Sequence, residues 1–172
     1  ESINAYHEYT QSGQIAPEDM MRYLHYKSRD NARTPMQWNN TANAGFTTGT
    51  PWIMVNPNYP KINAKEQVER PDSIFHYYQK LIKLRKAHEI IVYGSYQLLL
   101  PDDPNLYVYT RELAEEKLLV ICNFTDTRQS FTLPSDCNPD QMHCLIANYP
   151  ERVPEKQMLL NPYEALVYQS KI

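Results

Sequence analysis

A chain of 172 residues can form one large domain or two small ones. With 42% hydrophobic and 22% charged residues it has the material for a soluble core, and a net charge of −3 speaks against nucleic acid or an anionic membrane as partner. No secretory-signal pattern opens it and no apolar run is long enough to span a bilayer.

The charge is uneven: residues 1–88 carry +3 and residues 89–172 carry −6, which suggests two units. The abrupt start at Glu1-Ser2-Ile3, already inside a helical pattern and without an initiator Met, suggests a piece excised from a longer protein. Residues 2–12 read as a helix that Ser2 can N-cap and Gly13 can close in a left-handed conformation. A second helix is expected over about 17–26. Pro17 suits its first turn, Glu18 and Asp19 lie at the positive end of its dipole, and Met20, Tyr23 and Leu24 form its apolar face.

Residues 28–71 show almost no periodicity and are crowded with turn signals, including Asn39-Asn40, Gly45, Gly49 and Asn56-Pro57-Asn58. A loop this long inside a compact domain is usually functional. Trp38, Phe46, Trp52 and Ile53 are the expected internal anchors, and Asn63 is placed to cap a short helix at 64–69. Pro71-Asp72-Ser73 starts a stronger helix, with Asp72 as the expected cap; Ile74, Tyr77, Tyr78, Leu81 and Ile82 continue it to about His88.

After His88 the period becomes strand-like. Strands are expected at 90–93, 96–100, 106–112, 117–124, 130–133, 142–147, 158–160 and 165–168, with a hairpin turn over Leu113-Ala114-Glu115-Glu116. So many short strands predict an antiparallel sandwich, with the domain boundary near 87–91. The tyrosines at 93, 96, 107 and 109 form no obvious exposed platform in the sequence pattern. Cys122, Cys137 and Cys144 are odd in number and match no metal spacing; reduced structural thiols and a cytoplasmic location follow.

The chemistry concentrates in Ser28-Arg29-Asp30-Asn31-Ala32-Arg33-Thr34-Pro35-Met36-Gln37-Trp38. Two arginines, a carboxylate, amides and a tryptophan without apolar periodicity read as a polar-ligand pocket on a loop. Catalytic signatures are missing: there is no nucleophile elbow, phosphate loop, HExxH or Cys-x-x-Cys, and the five histidines are scattered. Glycoside hydrolysis uses two carboxylates flanking the scissile bond, whereas Asp30 is the sole acidic residue of this loop. No catalytic residue, metal ligand or cofactor is assigned.

The Ser28–Trp38 block, followed by Asn43-Ala44-Gly45-Phe46-Thr47-Thr48-Gly49-Thr50-Pro51-Trp52 and Val55-Asn56-Pro57-Asn58-Tyr59, strongly resembles the oligo-1,6-glucosidase branch of the α-amylase clan, glycoside hydrolase family 13. That branch includes dextran glucosidases and trehalose-6-phosphate hydrolases. The resemblance extends through Asp72-Ser73-Ile74-Phe75 to Asn161-Pro162-Tyr163-Glu164-Ala165 and covers essentially the whole chain. It implies an α+β fragment: residues 1–88 as the helical and long-loop end of a (β/α)8 barrel, then residues 89–172 as an antiparallel Greek-key β-sandwich. Barrel enzymes build their sites on the loops after the strands.

Residue by residue, the resemblance implies that Arg29 binds the terminal glucose in the −1 subsite. Its planar, permanently charged donors suit that task. Arg33 either lines the plus side of the pocket or braces Asp30. Asp30 orients its neighbours, and Asn31, Gln37 and Trp38 hold the loop's shape. The family's nucleophile, acid/base and stabilising carboxylates lie on earlier strands, so the implied parent is a retaining exo-α-glucosidase and the fragment alone is inactive. An oligosaccharide is the implied partner, met through the parent barrel, and the apolar faces of 2–26 and 72–86 are expected to make an isolated fragment self-associate. A trehalose-6-phosphate hydrolase parent, or a sandwich acting as a carbohydrate-binding module, are the alternatives. Ser28 argues against a sucrose isomerase, where an aspartate is expected before Arg-Asp-Asn.

Overall fold

The computed structural model describes residues 2–172, and they form two compact units divided between His76 and Tyr77. In the first, α1 (Ser2–Gln11) and α2 (Pro17–Lys27) are joined through Gly13, whose φ of 71° and N–H to Thr10 O close α1 as expected. Ser2 does not stand before the helix as a cap. It is the first residue inside α1, and its hydroxyl hydrogen-bonds with that of Ser28 at 2.9 Å. Pro17 opens α2 and Met20 is its buried residue.

Short helix α3 (Ala64–Glu69) is capped as its sequence predicts: Asn63 Oδ1 accepts the Glu66 N–H at 3.0 Å, and Asn63 is itself buried. The start of α4 (Ile74–Ala87) differs from expectation. Asp72 turns to Arg70 at 3.4 Å, which holds its carboxyl below the ordinary range, and the buried Ser73 hydroxyl takes the helix-entry position near the His76 N–H.

Residues 90–93, expected as a strand, form one helical turn, α5 (Ile90–Tyr93). β-branched residues favour strands only where a pleated neighbour is available. Here Tyr93 N–H reaches Glu89 O at 2.8 Å and Gly94 N–H reaches Ile90 O at 3.0 Å, while Ile90 is fully buried. Gly94 permits the turn, since a Cβ there would stand 2.6 Å from Ile90 O. Arg111 donates to Gly94 O at 2.8 Å, a cation at the carbonyl end of the turn.

Seven strands follow: β1 (Ser95–Leu98), β2 (Leu106–Leu113), β3 (Glu116–Asn123), β4 (Gln129–Thr132), β5 (His143–Ala147), β6 (Gln157–Leu160) and β7 (Ala165–Lys171). They make a five-stranded antiparallel sheet in the order β1-β2-β3-β7-β5 and a two-stranded antiparallel sheet of β4 and β6. The β2–β3 turn is tighter than expected. Leu113 pairs with Glu116, leaving Ala114-Glu115 as the turn with Ala114 at φ 52°.

The core lies between the two sheets. Leu106, Val108, Leu119, Ile121, Leu166 and Tyr168 from the larger sheet meet Phe131, Met158 and Leu160 from the smaller. The unbroken apolar run Leu118–Cys122 is explained by β3's central position: Leu119 and Ile121 face this core, and Leu118 and Val120 are buried on the opposite face. Asn123 ties the loops together, its amide donating to Thr127 O and Asn161 O, both at 2.8 Å. Glu164, 1% exposed, accepts from Arg152 at 3.0 Å and from the Asn161 N–H at 2.6 Å. The three thiols are unpaired, and burial pushes each above its ordinary pKa, favouring the protonated form.

Three of the tyrosines cluster, tilted to one another rather than stacked. Tyr96, Tyr107 and Tyr109 come together with Phe124 as neighbouring rings on one sheet face. Antiparallel register makes them neighbours, a relation that strand periodicity does not contain.

Candidate functional site

The polar loop begins where α2 ends. Ser28 N–H bonds to Leu24 O at 3.0 Å, and residues Arg29–Ala32 then wind into a 3₁₀ turn. Arg29 opens that turn and lies at the surface. Asn31 fastens the turn to α2: its amide donates to Leu24 O at 3.1 Å, which the Ser28 N–H also reaches, and to His25 O at 2.9 Å, in the last turn whose carbonyls the helix itself does not satisfy.

Asp30 and Arg33 approach to 3.7 Å across the turn, each partly exposed. The Arg33 guanidinium also lies over the Trp52 ring, 5.3 Å from its centroid, a cation–π arrangement. The sequence did not single out that partnership; eighteen residues of aperiodic chain separate the two.

Farther along, Gln37 and Trp38 are held by backbone on both sides. Gln37 O accepts the Ala64 N–H at 2.8 Å, Trp38 O accepts the Lys65 N–H at 3.0 Å, and Trp38 N–H reaches Ala44 O at 2.9 Å. The Gln37 amide adds a bond to Asn58 Oδ1 at 2.9 Å and one to Ile62 O. The acceptor Ala44 belongs to a sharp turn in which Asn43, Ala44 and Gly45 all have positive φ, 51°, 58° and 66°. Strain of that kind persists where surrounding structure fixes it. Asn43 supplies part of this, its amide donating to Thr47 O and Gly49 O.

In residues 2–172 taken by themselves, Trp38, Phe46 and Trp52 are 53%, 48% and 81% exposed, and Ile53 is half-buried. Pro35, Ala44 and Asn63 are the buried residues of the region. Backbone hydrogen bonds and short side chains order the loop, leaving the large rings outward. Exposed aromatics beside fixed donors make a surface suited to a polar ligand with apolar faces, such as a sugar. Among the described residues no group of three or more His, Cys, Asp or Glu is placed to hold a metal.

The loop's sequence and its hydrogen-bonded frame belong to a known class. The family described as the alpha amylase catalytic domain matches residues 3–94, and the alpha-amylase SusG C-terminal domain matches residues 106–167. The chain belongs to the alpha-amylase family, whose members related to it include glycoside hydrolases.

Within that family the chain is 50% identical, over its whole length, to an oligo-1,6-glucosidase of Parageobacillus thermoglucosidasius, of which it covers 31%. It superimposes on the crystal structure of Bacillus licheniformis trehalose-6-phosphate hydrolase with a TM-score of 0.90 and 46% identity, over 99% of this chain and 31% of that one. An isomaltulose synthase from Klebsiella matches with a TM-score of 0.88 and 39% identity, over 98% of this chain and 30% of that one. The chain thus spans about a third of the length of the relatives it matches.

Proposed function

We propose that these residues are the C-terminal part of a retaining, exo-acting α-glucosidase that hydrolyses α-1,6-linked gluco-oligosaccharides. The observation that carries the reading is the Arg29–Trp38 loop, whose amides and backbone are tied to α2 and α3 while Arg29 and Arg33 stay at the surface, in a chain half identical to an oligo-1,6-glucosidase. Residues 1–88 complete the catalytic barrel and residues 89–172 form its supporting Greek-key sandwich. Arg29 fixes the non-reducing-end glucose in the −1 subsite. Asn31, Gln37 and Trp38 hold the loop's shape. The 3.7 Å approach of Arg33 to Asp30 supports the bracing role for that arginine, with Asp30 as an orienting partner. The cleaving carboxylates belong to residues outside this chain, and the reduced thiols favour a cytoplasmic setting.

The test uses the longer protein on isomaltose. Arg29→Ala is expected to lower kcat/KM about a hundredfold or more, as lost positioning does, with an unaltered melting temperature. An unchanged kcat/KM removes Arg29 from the site, and turnover by residues 1–172 alone removes the requirement for outside carboxylates.

A second reading is favoured by the 0.90 TM-score to a trehalose-6-phosphate hydrolase. Under it the same loop binds the terminal glucose and a phosphate site lies elsewhere. Relative kcat/KM on trehalose 6-phosphate and isomaltose separates the two. Self-association through the exposed residues Ile3, Tyr23, Ile74, Phe75, Tyr78 and Ile82 is expected of the chain alone. A monomer across a wide concentration range in sedimentation velocity counts against it.

A further inference from the structure

The turn that carries Arg29 is tied down on two sides by different means. On its helix side the Asn31 amide donates to Leu24 O at 3.1 Å and His25 O at 2.9 Å. On its far side the Arg33 N–H closes the turn on Asp30 O at 3.1 Å, and the Arg33 guanidinium approaches Asp30 Oδ1 at 3.7 Å. That second distance is too long for a hydrogen bond. A bidentate pair with a carboxylate would fix the plane of the guanidinium, and an ion pair at this distance does not. What orients Arg33 is the Trp52 ring, whose centroid lies 5.3 Å from Cζ.

Trp52 is delivered by a fixed piece of chain. Asn43, Ala44 and Gly45 all have positive φ, and from that turn the Asn43 amide donates to Thr47 O at 3.2 Å and Gly49 O at 2.9 Å. The Gly49 N–H reaches Thr47 Oγ1 at 3.1 Å, and Pro51, with its locked φ, directly precedes the tryptophan. The same turn is held to the start of the loop, since the Trp38 and Asn39 N–H groups both meet Ala44 O. Backbone strain of this kind persists where it serves a fixed placement. Here the segment it fixes ends on the ring under Arg33.

We propose that Trp52 is a positioning residue for the sugar-binding turn. It acts through Arg33: the indole face holds the guanidinium beside Asp30, which gives the turn a second anchor opposite Asn31 and presents Arg29 in one orientation. The indole does not touch the sugar itself. A planar cation on a planar ring suits this task because both partners are rigid and the contact leaves the guanidinium N–H groups unspent. The proposal rests on the α-glucosidase reading, which supplies the task of Arg29.

The experiment measures kcat/KM of the longer protein on isomaltose and on trehalose 6-phosphate. On whichever it hydrolyses, Trp52→Leu is expected to lower kcat/KM about two- to fivefold, the weight of one partly exposed cation–π contact, with an unaltered melting temperature. Trp52→Met supplies a second variant without a ring should Trp52→Leu lower that temperature. Trp52→Phe keeps a ring face and is expected to recover most of the loss. In an Arg33→Met background Trp52→Leu is expected to make no further difference, because the contact is already gone. A loss that persists in full beside Arg33→Met shows the indole acting on the sugar directly and overturns the positioning role. So does an unchanged kcat/KM in the ring-less variants, or an equal loss in Trp52→Phe. Wild-type protein that hydrolyses neither substrate sinks the α-glucosidase reading and this proposal with it; an active wild type with indifferent Trp52 variants sinks this proposal alone.

Discussion

The loop of residues 28–62 and the sheets of residues 95–171 are ordered by opposite means. The loop exposes Trp38, Phe46 and Trp52 and is held by backbone hydrogen bonds and by the amides of Asn31, Gln37 and Asn43. The sheets bury Leu119, Ile121, Leu166 and Tyr168 and are held mainly by that burial. Hydrogen bonds are directional and individually modest, while burial is non-directional and cumulative.

The largest effect is expected where the sheet region departs from its own rule. Glu164→Ala leaves Arg152 and the Asn161 N–H without their buried acceptor, and should destabilise by about 4 kcal/mol in chemical denaturation. A loss of under about 1 kcal/mol would show that burial alone holds the sheets. Leu119→Ala opens a cavity between them and should cost about 3 kcal/mol.

Alkaline pH probes the same core. Burial pushes the Tyr168 hydroxyl up to about 12 from 10.0, so the folded state keeps a proton that the unfolded chain releases. Stability is therefore full below pH 10.0 and falls as pH rises toward about 12. The loss should be roughly 2 kcal/mol, and Tyr168→Phe should flatten that part of the pH profile.

In the loop region the effects are smaller and read differently. Asn63→Ala removes the α3 cap, expected to cost about 1.5 kcal/mol, and should accelerate proteolysis between residues 38 and 62, because Ala64 and Lys65 hold Gln37 and Trp38. Trp52→Ala should change stability by less than about 0.5 kcal/mol, as expected of an exposed side chain. A larger loss would make Trp52 an anchor after all and erase the contrast between the regions.

Helices α1 to α4 were legible because their signals are local: Pro17 at a helix start, Asn63 before α3, Gly13 after α1. The β2–β3 hairpin was legible from its alternation and from the continuous apolar run of β3. Ile90–Tyr93 misled because its β-branched composition is that of a strand, while the missing pleated neighbour and the close approach at Gly94 are tertiary facts.

The family resemblance, the placement of most elements and the polar loop as the place to look for a site could all be read from the residues alone. Those rest on contacts within a few residues and on motif spacing. That Arg33 meets Trp52 and Asp30, that Glu164 is sealed against Arg152, and that Tyr96, Tyr107, Tyr109 and Phe124 share one face is visible only once the chain has folded. Each of these depends on strand register or loop closure, which bring together residues whose separation along the chain carries no trace of the contact.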